Sequence, residues 1–494
     1  MPASRDPRDL APDAPLLDRW LRFTEAQRRG DITPFSVPGH KHRTDLVGEV
    51  IGGDVPLYAG LAPVKETHAL LADGEARAAA AWGVDWARLS VGGSTHANQA
   101  SILALGRPGQ PVIVSRTLHR SVLLGIVLAG LRPVWVRPQV DAVTGLPGGV
   151  PVAEVEAALT AHPDACGVLI GDPSYVGTMS NRPGSDLEGI AAAAHAAGVP
   201  LVVDAAWAAY LGFSPRVPGH ALQRGADALV TSAHKALPSW TQSALLLART
   251  TRAGGLLDPD RLERAFEATH TTSPSGAILA STDAARALLQ RDGAEVVGRL
   301  VDLVASARER LGAVEGMSVL TDSDTIAVDP AKLVVLLAGT GAHGHAVERD
   351  LLAAGIPLEM ADRDVLVPMV TMADDAGTVG RLVDAIVAAV ERHRGEPRPV
   401  EPSPAWTVHA ETAVDPRTAF FAAHETVGAD AAVGRVCAEL IAPYPPGVPV
   451  LAPGEVVTAE ALAALRAVRA DGGRIAYAAD PTLATLQVLS RSAA

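Results

Sequence analysis

Cysteine is nearly absent: two residues in 494, Cys166 and Cys437, neither at metal-ligand spacing. That leaves no disulfide framework and no metal site to expect, and suits a reducing cytoplasm. No run of about 18 apolar residues occurs, so no membrane span is expected. The first fifteen residues are polar and proline-rich and lack the apolar centre of a signal peptide. Positive charge is also in deficit, with 42 Lys and Arg against 55 Asp and Glu and a net charge of -13, which argues against nucleic acid as a partner. There is no internal repeat and no low-complexity tract.

What remains is a 48% apolar, 20% charged chain of ordinary globular composition, long enough for two or three domains. Residues 1–40 read as an arm with one helix at 16–29. Residues 41–312 read as a large domain in which strands and helices alternate from about 89 to 235, the pattern of a mainly parallel sheet covered on both faces. Residues 313–395 read as a smaller α/β unit. Four prolines between Arg394 and Pro404 mark a linker, so residues 396–494 read as a C-terminal module.

The chain is organised around Thr231-Ser232-Ala233-His234-Lys235, which follows the apolar run Ala228-Leu229-Val230. A lysine just past a buried strand, with Ser232 and His234 before it, is what a pyridoxal phosphate enzyme needs: an amine for a Schiff base and donors for the phosphate. A solvated lysine after a strand has the same local sequence. Earlier, a short strand at 89–91 runs into Gly92-Gly93-Ser94-Thr95-His96-Ala97-Asn98 and an apolar helix at 99–105. Strand, small-residue loop and helix start form an anion site through backbone N–H groups and the Ser94 and Thr95 hydroxyls, although either hydroxyl could simply cap the helix. His119 lies at a strand-to-helix turn, the edge where α/β sheets place ligands, and could also be a cap. Asp204 ends the strand at 199–203; a protonated pyridine nitrogen or a loop hydrogen bond would satisfy it. Thr271-Thr272-Ser273-Pro274-Ser275 is a hydroxyl-rich loop before a long helix at 277–311.

Taken in order, these segments resemble the Orn/Lys/Arg decarboxylase family of fold-type-I pyridoxal phosphate enzymes. The resemblance rests on Pro38-Gly39-His40-Lys41, Gly93-Ser94-Thr95 with Asn98, Arg116 with His119 and Ser121, and Asp204-Ala205-Ala206-Trp207. It continues through Ser232-Ala233-His234-Lys235, Thr272-Ser273-Pro274-Ser275, Pro443-Tyr444-Pro445-Pro446-Gly447 and Pro453-Gly454-Glu455. The length is similar to the shorter members, which lack an N-terminal wing domain. The resemblance implies that Lys235 carries the cofactor, Asp204 pairs with the pyridinium nitrogen and His119 stacks on the ring. It implies that Ser94, Thr95, Ser232 and His234 hold the phosphate, with His96 beside them, that Trp207 approaches the ring hydroxyl, and that Ser275 reaches the phosphate of a neighbouring subunit. At least a homodimer is therefore expected. Two departures stand out: Ala205 and Trp207 replace an acidic residue and a histidine of many shorter members, and Ala72-Asp73-Gly74-Glu75-Ala76 stands where a Pro-x-Gly-x-Ile pattern is usual.

The implied reaction is decarboxylation of arginine, lysine or ornithine to a primary amine of the polyamine type, in the cytoplasm. The protonated ring would take up the charge left at Cα, the site would hold the carboxylate out of the ring plane, and Lys235 or His234 would return a proton. Glu439 and Glu455, read as exposed helix or turn charges, are the carboxylates considered for the substrate's distal cation. An aminotransferase, lyase or oxidase acting on a basic amino acid keeps the same cofactor; in an aminotransferase Arg363 could hold the α-carboxylate. A non-catalytic protein of this fold would be expected to have lost Lys235 or Asp204, and both are present.

Overall fold

The computed structural model describes residues 6–32, 35–444 and 447–491. Pro445 and Pro446 of the proline-rich turn, and residues 1–5 of the expected arm, lie outside the described residues. The elements that matter for the site are, in chain order, β1 (Trp86–Ser90), α1 (Gly93–Leu105), β2 (Pro111–Ser115), α2 (Arg120–Ala129), β3 (Arg132–Val136), β4 (Val168–Gly171), β5 (Leu201–Asp204), β6 (Ala228–Ser232), α3 (Ala233–Ala236), β7 (Ala244–Ala248) and α4 (Gly276–Gly312). The chain forms two compact units. The first comprises Met1–Ala104, Ala205–Gln223 and Asp227–Gly298, and the second Leu105–Asp204, Arg224–Ala226 and Arg299–Ala494.

In the first unit β7 lies between β1 and β6 and runs antiparallel to both, with Ala244 opposite Ser90 on one side and Ser232 on the other. All five residues of β6 and of β7 are buried, as the apolar runs Ala228–Val230 and Ala244–Ala248 require. The arm is a structural part of this unit. Its helix Pro15–Arg28 buries Leu16 and Leu17. The Leu16 N–H donates to Asp283 on α4, whose carboxylate also pairs with Arg286; neither side chain of that pair is more than 1% exposed. Arg286 in turn donates to the Asp13 carbonyl.

In the second unit β2 pairs in parallel with β3 and with β4, and β4 with β5. Gly171 lies opposite Asp204, so Asp204 is the last residue of its strand. A four-stranded antiparallel sheet follows, ordered Ser318–Val319, Val335–Leu336, Val365–Val367, Met360–Ala361, with helices Gly344–Ala353 and Ala376–Arg392. The last hundred residues have their own core, in which Val408, Ile441, Leu451, Leu462, Leu465 and Val488 pack together.

The fold is α/β with a mainly parallel strand set, and three local expectations change. Residues 93–98 are not a loop before a helix but its first turns, because Gly93, at φ 69°, makes the sharp entry directly after β1. Between Asp204 and β6 the alternation breaks: the segment holds turns and the 3-10 helix Ala221–Arg224, since Gly212, Pro215, Pro218 and Gly219 interrupt any longer helix. The proline-rich linker is pinned, with Arg398 donating to Asp364 and to the carbonyls of Gly341, Ala342 and Arg363.

Candidate active site

Lys235 sits in α3, the single turn that begins immediately after β6. A buried strand followed without a loop by a helical turn delivers the side chain to the strand's carboxyl end, and the four-carbon stem does the rest. Its Nζ lies 3.7 Å above the centre of the Trp207 ring. Trp207 is held nearby because Ala205 is stitched to β6: its N–H donates to the Val230 carbonyl at 2.8 Å, and the Thr231 hydroxyl donates to its carbonyl at 3.0 Å. The His234 Nδ1–H donates to the Ser243 carbonyl at 2.9 Å, which fixes the protonated nitrogen of a neutral ring.

Ser232, the last residue of β6, donates its hydroxyl to the Ser94 hydroxyl at 2.8 Å. Ser94 and Thr95 occupy the first turn of α1, where backbone N–H groups have no partner within the helix and the positive end of the dipole lies. The Gly93 N–H is taken by the Gln242 carbonyl at 2.7 Å, which ties the helix start to the β6–β7 connection. Helix start, two adjoining hydroxyls and a lysine three residues after Ser232 form a donor set that fits a phosphate and an aldehyde on one molecule. Ser275 immediately precedes α4; its hydroxyl accepts from the Ile278 N–H at 3.5 Å, while Thr271, Thr272 and Ser273 before it are exposed.

His96 goes elsewhere. Its Nε2–H donates to the Phe266 carbonyl at 3.0 Å, so Nδ1 of the neutral ring accepts from the Ser90 hydroxyl at 2.7 Å. Burial lowers the imidazole's pKa. With both nitrogens spent inside the first unit, His96 has no donor left for a phosphate.

In the second unit His119 and Asp204 leave the same edge, at the carboxyl ends of β2 and β5. His119 is exposed and is the N-cap of α2: its Nδ1 accepts from the Ser121 N–H at 3.2 Å and lies 2.8 Å from the Ser121 hydroxyl. The cap uses Nδ1 of the ring.

The two carboxylates considered for a distal cation are corrected. Glu439 is 7% exposed and accepts from the Ala479 and Gln487 N–H groups at 2.6 and 2.7 Å. Glu455 is 1% exposed and is held by Arg116 and the Ala452 N–H. Neither is an exposed turn charge, and both are committed to structure. Arg363 is likewise engaged, by Asp364, Glu401 and Asp471. Sequence reading overlooked a cleft of about 510 Å³ in the first unit, lined by Tyr58, His68, Glu75, Arg88, Glu263 and His270. Glu75 and Glu263 both pair with Arg88, and burial pushes the Glu75 carboxyl up to about 7. The residues come from four separate segments, so no local pattern announces them.

Comparison with known proteins gives the family. Residues 28–350 match the major domain of the Orn/Lys/Arg decarboxylases and residues 403–471 their C-terminal domain. The chain is 32% identical to an arginine decarboxylase of Halalkalibacterium halodurans, over 94% of this chain and 96% of that one. It is 31% identical to an arginine decarboxylase of Bacillus subtilis, over 86% and 88%. In fold it is similar to the lysine decarboxylase of Francisella novicida, with a TM-score of 0.77 at 19% identity, covering 97% of this chain and 81% of that one. A parallel strand set, a lysine at the third residue of the turn after β6 and two matched domains in the family's order leave one assignment: the chain belongs to the Orn/Lys/Arg decarboxylase family.

Proposed function

We propose that the protein is a pyridoxal phosphate-dependent decarboxylase of a basic amino acid, with arginine the first substrate to test. The observation that carries this is Lys235 in the turn after β6, three residues beyond a serine whose hydroxyl meets Ser94 at the start of α1. The choice of arginine is supported by the relatives at 32% and 31% identity, both named arginine decarboxylases.

When bound, pyridoxal phosphate supplies an electron sink for the charge left at Cα as CO2 departs. The rest falls to the chain. Ser94, Thr95 and Ser232 hold the phosphate with hydroxyl and N–H donors. Lys235 provides the amine that anchors the group, and Trp207 keeps that amine directed. Asp204 would supply the carboxylate for the ring nitrogen, and His119 would stack on the ring and help hold it still. Lys235 or His234 returns the proton to Cα. The exposed Thr271–Ser273 loop leading to Ser275 is the segment offered to a second copy, so the working unit proposed is a cytoplasmic homodimer producing a polyamine-type amine.

Arg363 gives no support to the aminotransferase alternative, because three carboxylates already surround it. The test is to incubate the purified protein, loaded with pyridoxal phosphate, with arginine, lysine and ornithine, and to measure CO2 and amine. Stoichiometric CO2 and agmatine from arginine is the expected result; keto acid or peroxide without CO2 would overturn it.

A further inference from the structure

Helix α2, which begins at the His119 cap, is gripped by the C-terminal module at three points along its length. Ahead of the helix, Arg116 donates to both oxygens of Glu455, at 2.6 and 2.9 Å, and to the Val450 carbonyl at 3.1 Å. At its first residue, Arg120 lies 4.5 Å from the centre of the Tyr477 ring. At its far end, Arg417 donates to the Val127 and Leu128 carbonyls at 3.0 and 2.8 Å, in the last turn of α2.

The first grip is unusual in its cost. Arg116 is 3% exposed and Glu455 1%, the guanidinium also stacks on Trp135 at 4.6 Å, and Arg116 Nε has no hydrogen-bond partner. A desolvated pair of this kind contributes little net stability over a well-packed apolar replacement; what it does well is fix position. Position is what the loop needs. The Arg116 N–H is bound to the Val136 carbonyl and the Leu118 N–H to the Ser115 carbonyl, so only two residues separate the anchored Arg116 from His119. Tyr477 has a φ of 69°, a left-handed conformation rare for an aromatic residue, and from it meets Arg120.

We propose that Arg116, Glu455 and Tyr477 are positioning residues: the C-terminal module sets where His119 stands, and through it how the cofactor ring is held. This rests on the reading of His119 given above. Activity in this family member then depends on a module that supplies no reacting group.

The test uses the full-length protein loaded with pyridoxal phosphate. The variants are E455Q, Y477A, Y477F and H119A, and the combinations of E455Q and Y477A with H119A. The readouts are the circular dichroism of the cofactor's visible band, which reports ring orientation, together with kcat and KM. E455Q and Y477A should weaken the induced band and lower kcat about tenfold with KM within about twofold, while Y477F, which keeps the ring, stays near wild type. On the H119A background neither change should lower kcat further, since both act through that residue. Folded E455Q and Y477A with a wild-type band and kcat, or losses that multiply with that of H119A, would overturn the proposal. If E455Q fails to fold, Y477A decides alone, because the Tyr477 contact is partly exposed. An H119A protein with wild-type band and kcat would remove the underlying reading and this proposal with it, an outcome visible from that variant alone.

Discussion

The Lys235 ammonium rests 3.7 Å above the Trp207 ring, so the residue proposed to anchor the cofactor is already directed by an aromatic face. Replacing Lys235 with alanine should abolish the visible absorbance of bound cofactor and reduce turnover on the order of 10^4-fold or more. Replacing Trp207 with alanine should be far milder, about fivefold in cofactor affinity, the equivalent of ~1 kcal/mol for a cation–π contact. Spectrophotometric titration with pyridoxal phosphate measures both. A colour that survives in K235A would defeat the assignment.

The Ser94–Ser232 hydroxyl pair makes a second prediction. Each alanine variant should weaken pyridoxal phosphate binding about tenfold or more, the scale of a hydrogen bond to a charged group. Because the hydroxyls touch, the double variant should lose less than the product of the two. Equilibrium dialysis gives the three constants, and strict multiplicativity would show that the two serines do not serve one phosphate.

Glu439 should behave as a structural residue. Its carboxylate is the acceptor for two backbone N–H groups in the C-terminal module, and E439A leaves both without it. A loss of about 3 kcal/mol is expected, with cofactor affinity unchanged in the folded fraction. Denaturant unfolding followed by cofactor titration checks this; a specific loss of substrate affinity would return Glu439 to the substrate site.

Two buried groups set opposite pH slopes on stability. His220, 4% exposed, is lowered to about 4 by burial. The unfolded chain therefore binds its proton more readily, and the stability present above pH 6.5 is lost as pH falls towards 4. Glu75 is raised to about 7, so the folded chain holds its proton more tightly and the associated stability, full below about 4.5, is lost as pH rises through 7. H220N should flatten the acid side of the stability profile and E75Q the neutral side, each read from melting temperatures across pH.

The parts of this site that sequence reveals are those made locally. Lys235 follows a buried strand, Ser94 lies in the first turn of a helix after another, and Asp204 terminates a third, so neighbours within a few residues specify each. What sequence conceals depends on distant partners. His96 looks like one more donor beside Ser94 until Phe266, 170 residues on, takes its Nε2–H. Glu455 looks like a turn charge until Arg116 claims it across 339 residues. Gly93 was readable as a loop residue because its left-handed turn and the helix it opens have the same composition as a flexible connection.

The contact of Leu16 with Asp283 has a practical consequence at the other end of the chain. Asp283 and Arg286 are sealed from water, and the backbone at Leu16 and Asp13 supplies hydrogen bonds to them. Proteolytic trimming just past residue 16 would therefore unseat a buried ion pair on the longest helix, and the damage would register as unfolding of the first unit rather than as loss of a dispensable tail.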